Sequence, residues 1–396
     1  GESPFALDVT DAVRTGEENL LAVRVVNLSR TVEIDGMRQV ETPSGFGRLH
    51  GGIIHPVELL EVPVVRIDDV HVQPRPATGE IDVTIRVVND AGTAFRGRLT
   101  GCAGPAKTGE IAVFAETEAE FPTGESTHRF TLTIEQHRLW SLDDPYLYRV
   151  IVDLEACRGD GVGIRHQKSV RCGFRDFRVI NGYFHLNGKR VFLRSMHTGA
   201  LFPAGGCSPV SAPTPGMPRR DLILAKACGF NMVRFLAGAA LPEQLDCCDE
   251  IGLMIYEESM ASWGLEDSPQ MAERYDRSLC EMIVRDRNHP CITIWGLLNE
   301  TPDGPVFRHA VESLKLVRSL DDSRLVILGS GRWDGQLDIG SLSNPQSREW
   351  ECQWGAEGPG ATASEVRHPR GPWLPGGSRS PPPGRPGTCR GRSRAG

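Results

Sequence analysis

No apolar run in the chain approaches the roughly 18–20 residues needed to cross a bilayer, so no membrane span is expected. No C-x-x-C pair occurs among the 11 cysteines, which are odd in number and scattered. A metal cluster or a disulfide framework is therefore not expected. Cys247 and Cys248 are adjacent on a predicted helix, where neighbours point in different directions. The simpler reading is buried free thiols in a reducing compartment, which favours the cytoplasm. Positive charge is not in excess: the formal net charge of -7 argues against a general nucleic-acid binder. The first residue is Gly1, not Met, so the chain is expected to be a piece of a longer one, and a missing leader says little about export.

What is present is ordinary for a soluble globular protein: 39% apolar and 24% charged residues. A length of 396 residues suggests two or three domains. Residues 1–62 hold short β-like runs, Leu20-Leu21-Ala22-Val23-Arg24-Val25-Val26 and Val57-Glu58-Leu59-Leu60-Glu61-Val62, divided by Gly45-Phe46-Gly47 and Gly51-Gly52. They predict part of an antiparallel sandwich, short of the roughly 100 residues such a domain needs. Residues 63–176 alternate more cleanly, as in Ile81-Asp82-Val83-Thr84-Ile85-Arg86-Val87, and predict an immunoglobulin-like sandwich.

From 177 the period changes. Strands are expected at Val191–Arg194, Asn231–Leu236, Leu253–Glu257, Cys291–Leu298 and Arg324–Leu328. Helices are expected at Arg219–Cys228, Pro242–Ile251, Pro269–Arg285 and Val306–Arg318. Alternating strands and helices indicate parallel βαβ units, here about five strands over 177–355 against the eight of a closed barrel. From 356 to 396, Gly, Pro and Arg supply 24 of 41 residues, with no Ile, Phe or Tyr. That composition cannot bury a core and predicts a disordered tail, with a break in the reading frame near Gly355 as its expected origin.

The run Arg285-Asp286-Arg287-Asn288-His289-Pro290-Cys291-Ile292-Thr293-Ile294-Trp295-Gly296-Leu297-Leu298-Asn299-Glu300 is a helix end, a turn, a buried strand and an Asn-Glu pair at the strand's carboxyl end. It resembles the acid/base segment of glycoside hydrolase family 2, the family of β-galactosidases and β-glucuronidases. Trp140-Ser141-Leu142-Asp143-Asp144-Pro145-Tyr146-Leu147-Tyr148 resembles a run of that family's immunoglobulin-like domain. The resemblance implies a jelly-roll-like N-terminal sandwich, here partial, then the immunoglobulin-like sandwich, then an incomplete (β/α)8 barrel. It implies retaining hydrolysis of β-glycosides, with a carbohydrate partner, no nucleic acid, no membrane and no cofactor.

A barrel carries catalytic residues at the carboxyl ends of its strands. Glycoside hydrolysis needs a carboxyl group that protonates the leaving oxygen and, in retaining enzymes, a second one that attacks the anomeric carbon. The resemblance makes Glu300 the acid/base and Asn299 its sugar-binding neighbour. Arg234 is expected to support the site and His197 to contact substrate. Adjacent strand residues face opposite sides, so only one of Glu257 and Glu258 faces inward, and Glu257 is favoured. Trp263 is a candidate stacking face for a sugar ring. Some β-galactosidases bind magnesium through a Glu and a His, whose places here hold Ala261 and Trp263; no metal is carried over. The Arg285–Pro290 turn is expected to be scaffold. The family's nucleophile is a later glutamate. Glu312, Glu349, Glu351, Glu357 and Glu365 follow Glu300, none after a convincing apolar strand. No nucleophile can be named, and negligible activity is expected of this chain. A non-catalytic carbohydrate-binding protein is the alternative, and an interaction protein using the basic tail a third.

Overall fold

The computed structural model describes residues 5–24, 32–34, 37–39, 53, 57–157, 163–199, 217–262, 265, 267–299, 301 and 304–330. Among the first 62, the described strands are β1 (Val32–Ile34) and β2 (Met37–Gln39), an antiparallel hairpin. Residues 20–24 and 57–62 take no sheet partner there, and Leu20, Leu21, Leu59 and Leu60 are exposed. A strand-like pattern becomes a strand only beside a neighbour that completes its ladder. Val25, Val26 and the two glycine turns lie outside the described residues.

The alternating runs that follow fold into two packed antiparallel sheets. These are β3 (Val65–Arg75), β4 (Glu80–Asn89), β5 (Phe95–Pro105), β6 (Val113–Phe121), β7 (Gly124–Thr133), β8 (Tyr148–Cys157) and β9 (Gly163–Cys172). One sheet has the order β3-β4-β7 and the other β6-β5-β8-β9. Their inward residues, including Val70, Val72, Ile81, Val83, Leu99 and Val150, form one apolar core with Phe174, just past β9. The Tyr148 hydroxyl accepts a hydrogen bond from Arg138 N at 2.8 Å, pinning the approach to β8.

A small antiparallel sheet, β10 (Phe177–Ile180), β11 (Tyr183–Leu186) and β12 (Lys189–Arg190), leads into the parallel layer. That layer runs β13 (Ser195–Gly199), α1 (Met217–Ala227), β14 (Met232–Leu236), α2 (Pro242–Ile251), β15 (Met254–Glu258), α3 (Met271–Asp286), β16 (Ile292–Asn299), α4 (Pro305–Glu312), α5 (Leu314–Leu320) and β17 (Leu325–Ser330). The five strands pair in sequence order, all parallel. No helix among the described residues is long and apolar enough to cross a membrane.

Two elements depart from expectation. The strand placed at Val191–Arg194 starts instead at Ser195. Asn231 binds the preceding backbone in place of a ladder, donating from Nδ2 to Phe192 O and accepting from Arg194 N. Phe192, which suggested a buried strand, is exposed. The helix expected over Val306–Arg318 is divided at Ser313, whose hydroxyl donates to Asp276 Oδ1 and lies against His309 O, a local alternative to helix bonding.

The turn Arg285–Pro290 joins the two bodies. Asn288 donates from Nδ2 to Val70 O (2.8 Å) and accepts from Val72 N (3.0 Å), copying a strand on the open edge of β3. Arg287 pairs with Asp69 at 2.6 Å. From the sandwich side, Arg175 donates to Pro290 O (2.9 Å) and Ile292 O (2.7 Å). The enclosed Trp140 donates to Asp249 O (2.8 Å). Gly252, with φ 71°, ends α2 where an added Cβ would meet Leu142 O at 2.4 Å, so backbone conformation and close approach both require glycine.

Candidate active site

Parallel pairing aligns side chains of one face across the sheet. Arg234 on β14 stands beside His197 on β13 and Tyr256 on β15. Glu258, two residues beyond Tyr256, shares its face. Arg234 donates from Nε to Glu258 Oε1 at 2.7 Å and from Nη2 to Asn299 Oδ1 at 2.7 Å. One guanidinium thus ties the carboxyl ends of β15 and β16. The other Glu258 oxygen accepts from Ala237 N and from Ser262 Oγ, each at 3.1 Å. Ala237 holds φ 50°, a conformation sparsely used by residues with a Cβ. Such strain persists where the surroundings over-determine it, here by aiming its N–H at a carboxylate.

Burial pushes the Glu258 carboxyl up from its usual range; Arg234 and the bond from Ala237 pull it part of the way back. The side chain can lie across the sheet because β16 carries Gly296 opposite it. A Cβ there would stand 2.3 Å from the Tyr256 ring and 2.5 Å from Glu258 Cγ. A glycine inside an otherwise apolar strand marks such close approach, and that was the available sequence signal for this contact.

The preference for Glu257 over Glu258 as the inward acid is corrected by this geometry. Glu257 is fully buried on the opposite, helix-facing side. Its Oε1 accepts from Ala240 N at 2.8 Å, and Arg285 Nη2 of α3 lies 3.8 Å away. Burial and then the neighbouring Asp286 push its carboxyl well above the usual range. Arg285 makes a two-pronged pair with Asp286, at 2.7 and 2.6 Å. Two acids therefore face one guanidinium, and the neutral arrangement keeps a proton on the pair.

His197 shares the Arg234 face and is exposed on β13. Asn299 is buried, and Arg234 fixes the accepting end of its amide. Glu300 and Trp263 lie outside the described residues. Thr301, next after Glu300, places its hydroxyl 2.9 Å from Asn299 O and 3.3 Å from Ser262 O, between the loops after β15 and β16. Trp295 faces the helices instead, fully buried, with Nε1 donating to Asp321 at 2.7 Å.

Two family models match in succession: "Glycosyl hydrolases family 2" over residues 65–175, and "Glycosyl hydrolases family 2, TIM barrel domain" over 177–351. The chain belongs to glycosyl hydrolase family 2. It is 28% identical over 316 residues to a beta-galactosidase of Pectobacterium atrosepticum, covering 76% of this chain and 29% of that protein. It is 30% identical over 340 residues to a beta-galactosidase of Thermoanaerobacter pseudethanolicus, covering 82% and 42%. Among solved structures, a beta-glucuronidase of Parabacteroides merdae superposes with a TM-score of 0.54 at 27% identity, covering 67% of this chain and 34% of that one. The chain spans less than half the length of these relatives.

The magnesium site of some family 2 β-galactosidases does not fit the residues here. Ala261 is buried and its side chain has no ligating atom, and Ser262 Oγ is engaged by Glu258. Elsewhere, Asp246, Asp249 and His289 bring ligand-type atoms within 4.8 Å of one another. Arg171 already contacts Asp246, while Asp249 binds His289 Nδ1 (2.6 Å) and accepts from Cys291 N (3.0 Å). That cluster closes the turn before β16 with hydrogen bonds. The eight described cysteines are all free. Sequence reasoning set Glu258 below Glu257, and it missed Ser262 and Thr301, whose only signal was a small hydroxyl residue just past a strand end.

Proposed function

We propose that this chain carries the acid/base half of a retaining β-glycosidase site. Glu300 protonates the leaving oxygen and later deprotonates water. Asn299, Arg234, His197 and Trp263 approach the sugar or steady what does. The observation that carries this reading is the Arg234 guanidinium, held by Glu258 and gripping Asn299, the residue directly before Glu300. A fixed Asn299 presents a preorganised donor beside the reacting carbon, where its bond strengthens as charge develops. A carboxyl group near such a dry, carboxylate-bearing strand end is one whose pKa is readily raised, as an acid catalyst needs.

On the same reading, residues 63–176 are the family's immunoglobulin-like sandwich and 177–355 the first part of a (β/α)8 barrel. Residues 1–62 are part of a jelly-roll-like sandwich, and the tail 356–396 lies outside the described residues. Glu312, at the end of α4, is on an outer helix, and the other late glutamates lie outside the described residues. Among the described residues after Glu300 no glutamate stands at a strand's carboxyl end, where the covalent step needs its nucleophile. The purified 396-residue chain is therefore expected to hydrolyse aryl β-glycosides no faster than its Glu300→Gln variant. Extending it with the later barrel portion of the Thermoanaerobacter relative should supply turnover, which Glu300→Gln then lowers by about 100-fold or more. Full activity of that extended variant would remove Glu300 from the acid/base role. Sugar binding without turnover in the extended protein would support the carbohydrate-binding alternative.

A further inference from the structure

The open edge of β3 is the sandwich's docking strand. Its outward residues Asp69, His71 and Gln73 face two turns of the parallel layer. Asp69 meets Arg287, and Gln73 donates to Asp322 Oδ1 at 3.2 Å. His71 stands between them. Its Nε2 is enclosed and has no hydrogen-bond partner among the described residues. The charged groups facing it are Asp69 from β3, Arg287 from the turn before β16, and Asp321 and Arg324 from the turn before β17.

The two acids in that set are already committed. Asp69 pairs with Arg287 at 2.6 Å, and Asp321 pairs with Arg324 at 2.8 Å while accepting from Trp295 at 2.7 Å. A proton on His71 would therefore add a third positive charge between two arginines and create an enclosed N–H with no acceptor. Both effects oppose closure, because a buried cation without a partner is strongly disfavoured.

We propose that His71 is an acid-sensitive latch, holding the sandwich against the parallel layer only while its imidazole is neutral. Burial, with help from Arg287, lowers the His71 pKa to about 4. An imidazole in the parted or unfolded chain takes up its proton near pH 6.5 (an approximate value). Between the two, the parted state binds more protons than the closed one. The joint is thus strongest above about pH 6.5 and weakens as the pH falls toward about 4.

The test uses amide exchange in the full chain, read as protection factors. The Val72 amide donates to Asn288 across the joint, while β4–β7 ladder amides report the sandwich interior. On acidification, Val72 protection is expected to fall by about tenfold or more while the β4–β7 amides stay protected. His71→Gln should keep Val72 protected at the acid end, and His71→Lys should lose protection at neutral pH. Loss of Val72 protection at the same pH in His71→Gln as in the unmodified chain would overturn the proposal. So would an NMR titration of the unmodified chain showing the His71 imidazole protonating at its ordinary value.

Discussion

At the scale of single residues, the candidate site depends on one guanidinium with two buried partners. Removing the Glu258 charge takes from Arg234 its buried carboxylate partner in a poorly hydrated place. Glu258→Gln should destabilise the chain by about 3 kcal/mol, the cost of breaking a buried ion pair from one side. A shift in the urea midpoint of under a quarter of that would show the pair to be well hydrated. Gly296→Ala tests the same cluster from beneath. Its new methyl would displace Tyr256 and Glu258, so a loss of about 1–3 kcal/mol is expected by the same urea titration, the usual range for overpacking. The sequence made Asn299 legible because it ends an apolar run at a strand's carboxyl end, and Arg234 because it is a lone charge inside the apolar β14. It favoured Glu257 over Glu258 with no local signal to decide between them. Two consecutive acids satisfy either face equally well, and only the register against Gly296 decides which turns inward.

At the scale of elements, β15 separates two acids with opposite surroundings: Glu258 is held against Arg234, and Glu257 is packed against α3 beside Asp286. The folded-state pKa of Glu257 is raised. Between the ordinary carboxylate pKa of about 4.3 and that raised value, the folded chain binds more protons than the unfolded one, so its stability falls as pH rises. Glu257→Gln should remove this alkaline loss while keeping the bond from Ala240. Melting temperatures across a pH series would show it: the variant's curve should run flatter and cross above that of the unmodified chain. Parallel curves would mean that the pair carries no proton. Helix and strand positions in this layer were legible from periodicity to within a residue or two. The exceptions, at Val191–Arg194 and at Ser313, are places where an asparagine amide or a serine hydroxyl took over backbone hydrogen bonds. Periodicity is blind to side chains that act as backbone.

At the scale of the whole molecule, the Arg285–Pro290 turn is both the foot of β16 and the seat of the sandwich. Asn288→Ala should release two backbone groups of β3 and cost about 1–3 kcal/mol, the penalty of leaving buried donors and acceptors unmet. It should also let the sandwich unfold separately from the parallel layer, visible as two calorimetric transitions where one is expected of the unmodified chain. A single unchanged transition would mean that Arg175 and Trp140 hold the joint without it. The sequence marked this turn as scaffold, but its partner on β3 was not visible. Asp69 and Val70 lie more than two hundred positions away, and nothing local to either segment records the pairing.

The β-bulge between Ile67 and Asp69 gives that seat a parity. It inserts one step into β3, so that Val70 and Val72 still point into the sandwich core while Asp69, His71 and Gln73 point out. Deleting Asp68, the step without a ladder partner, would remove the bulge and keep Val70 and Val72 inward. Deleting two would exchange the two sets, turning the valines toward the arginines and His71 into the apolar core. Deletions of one and of two residues at this bend should therefore have unlike consequences, with the docked face surviving only the first.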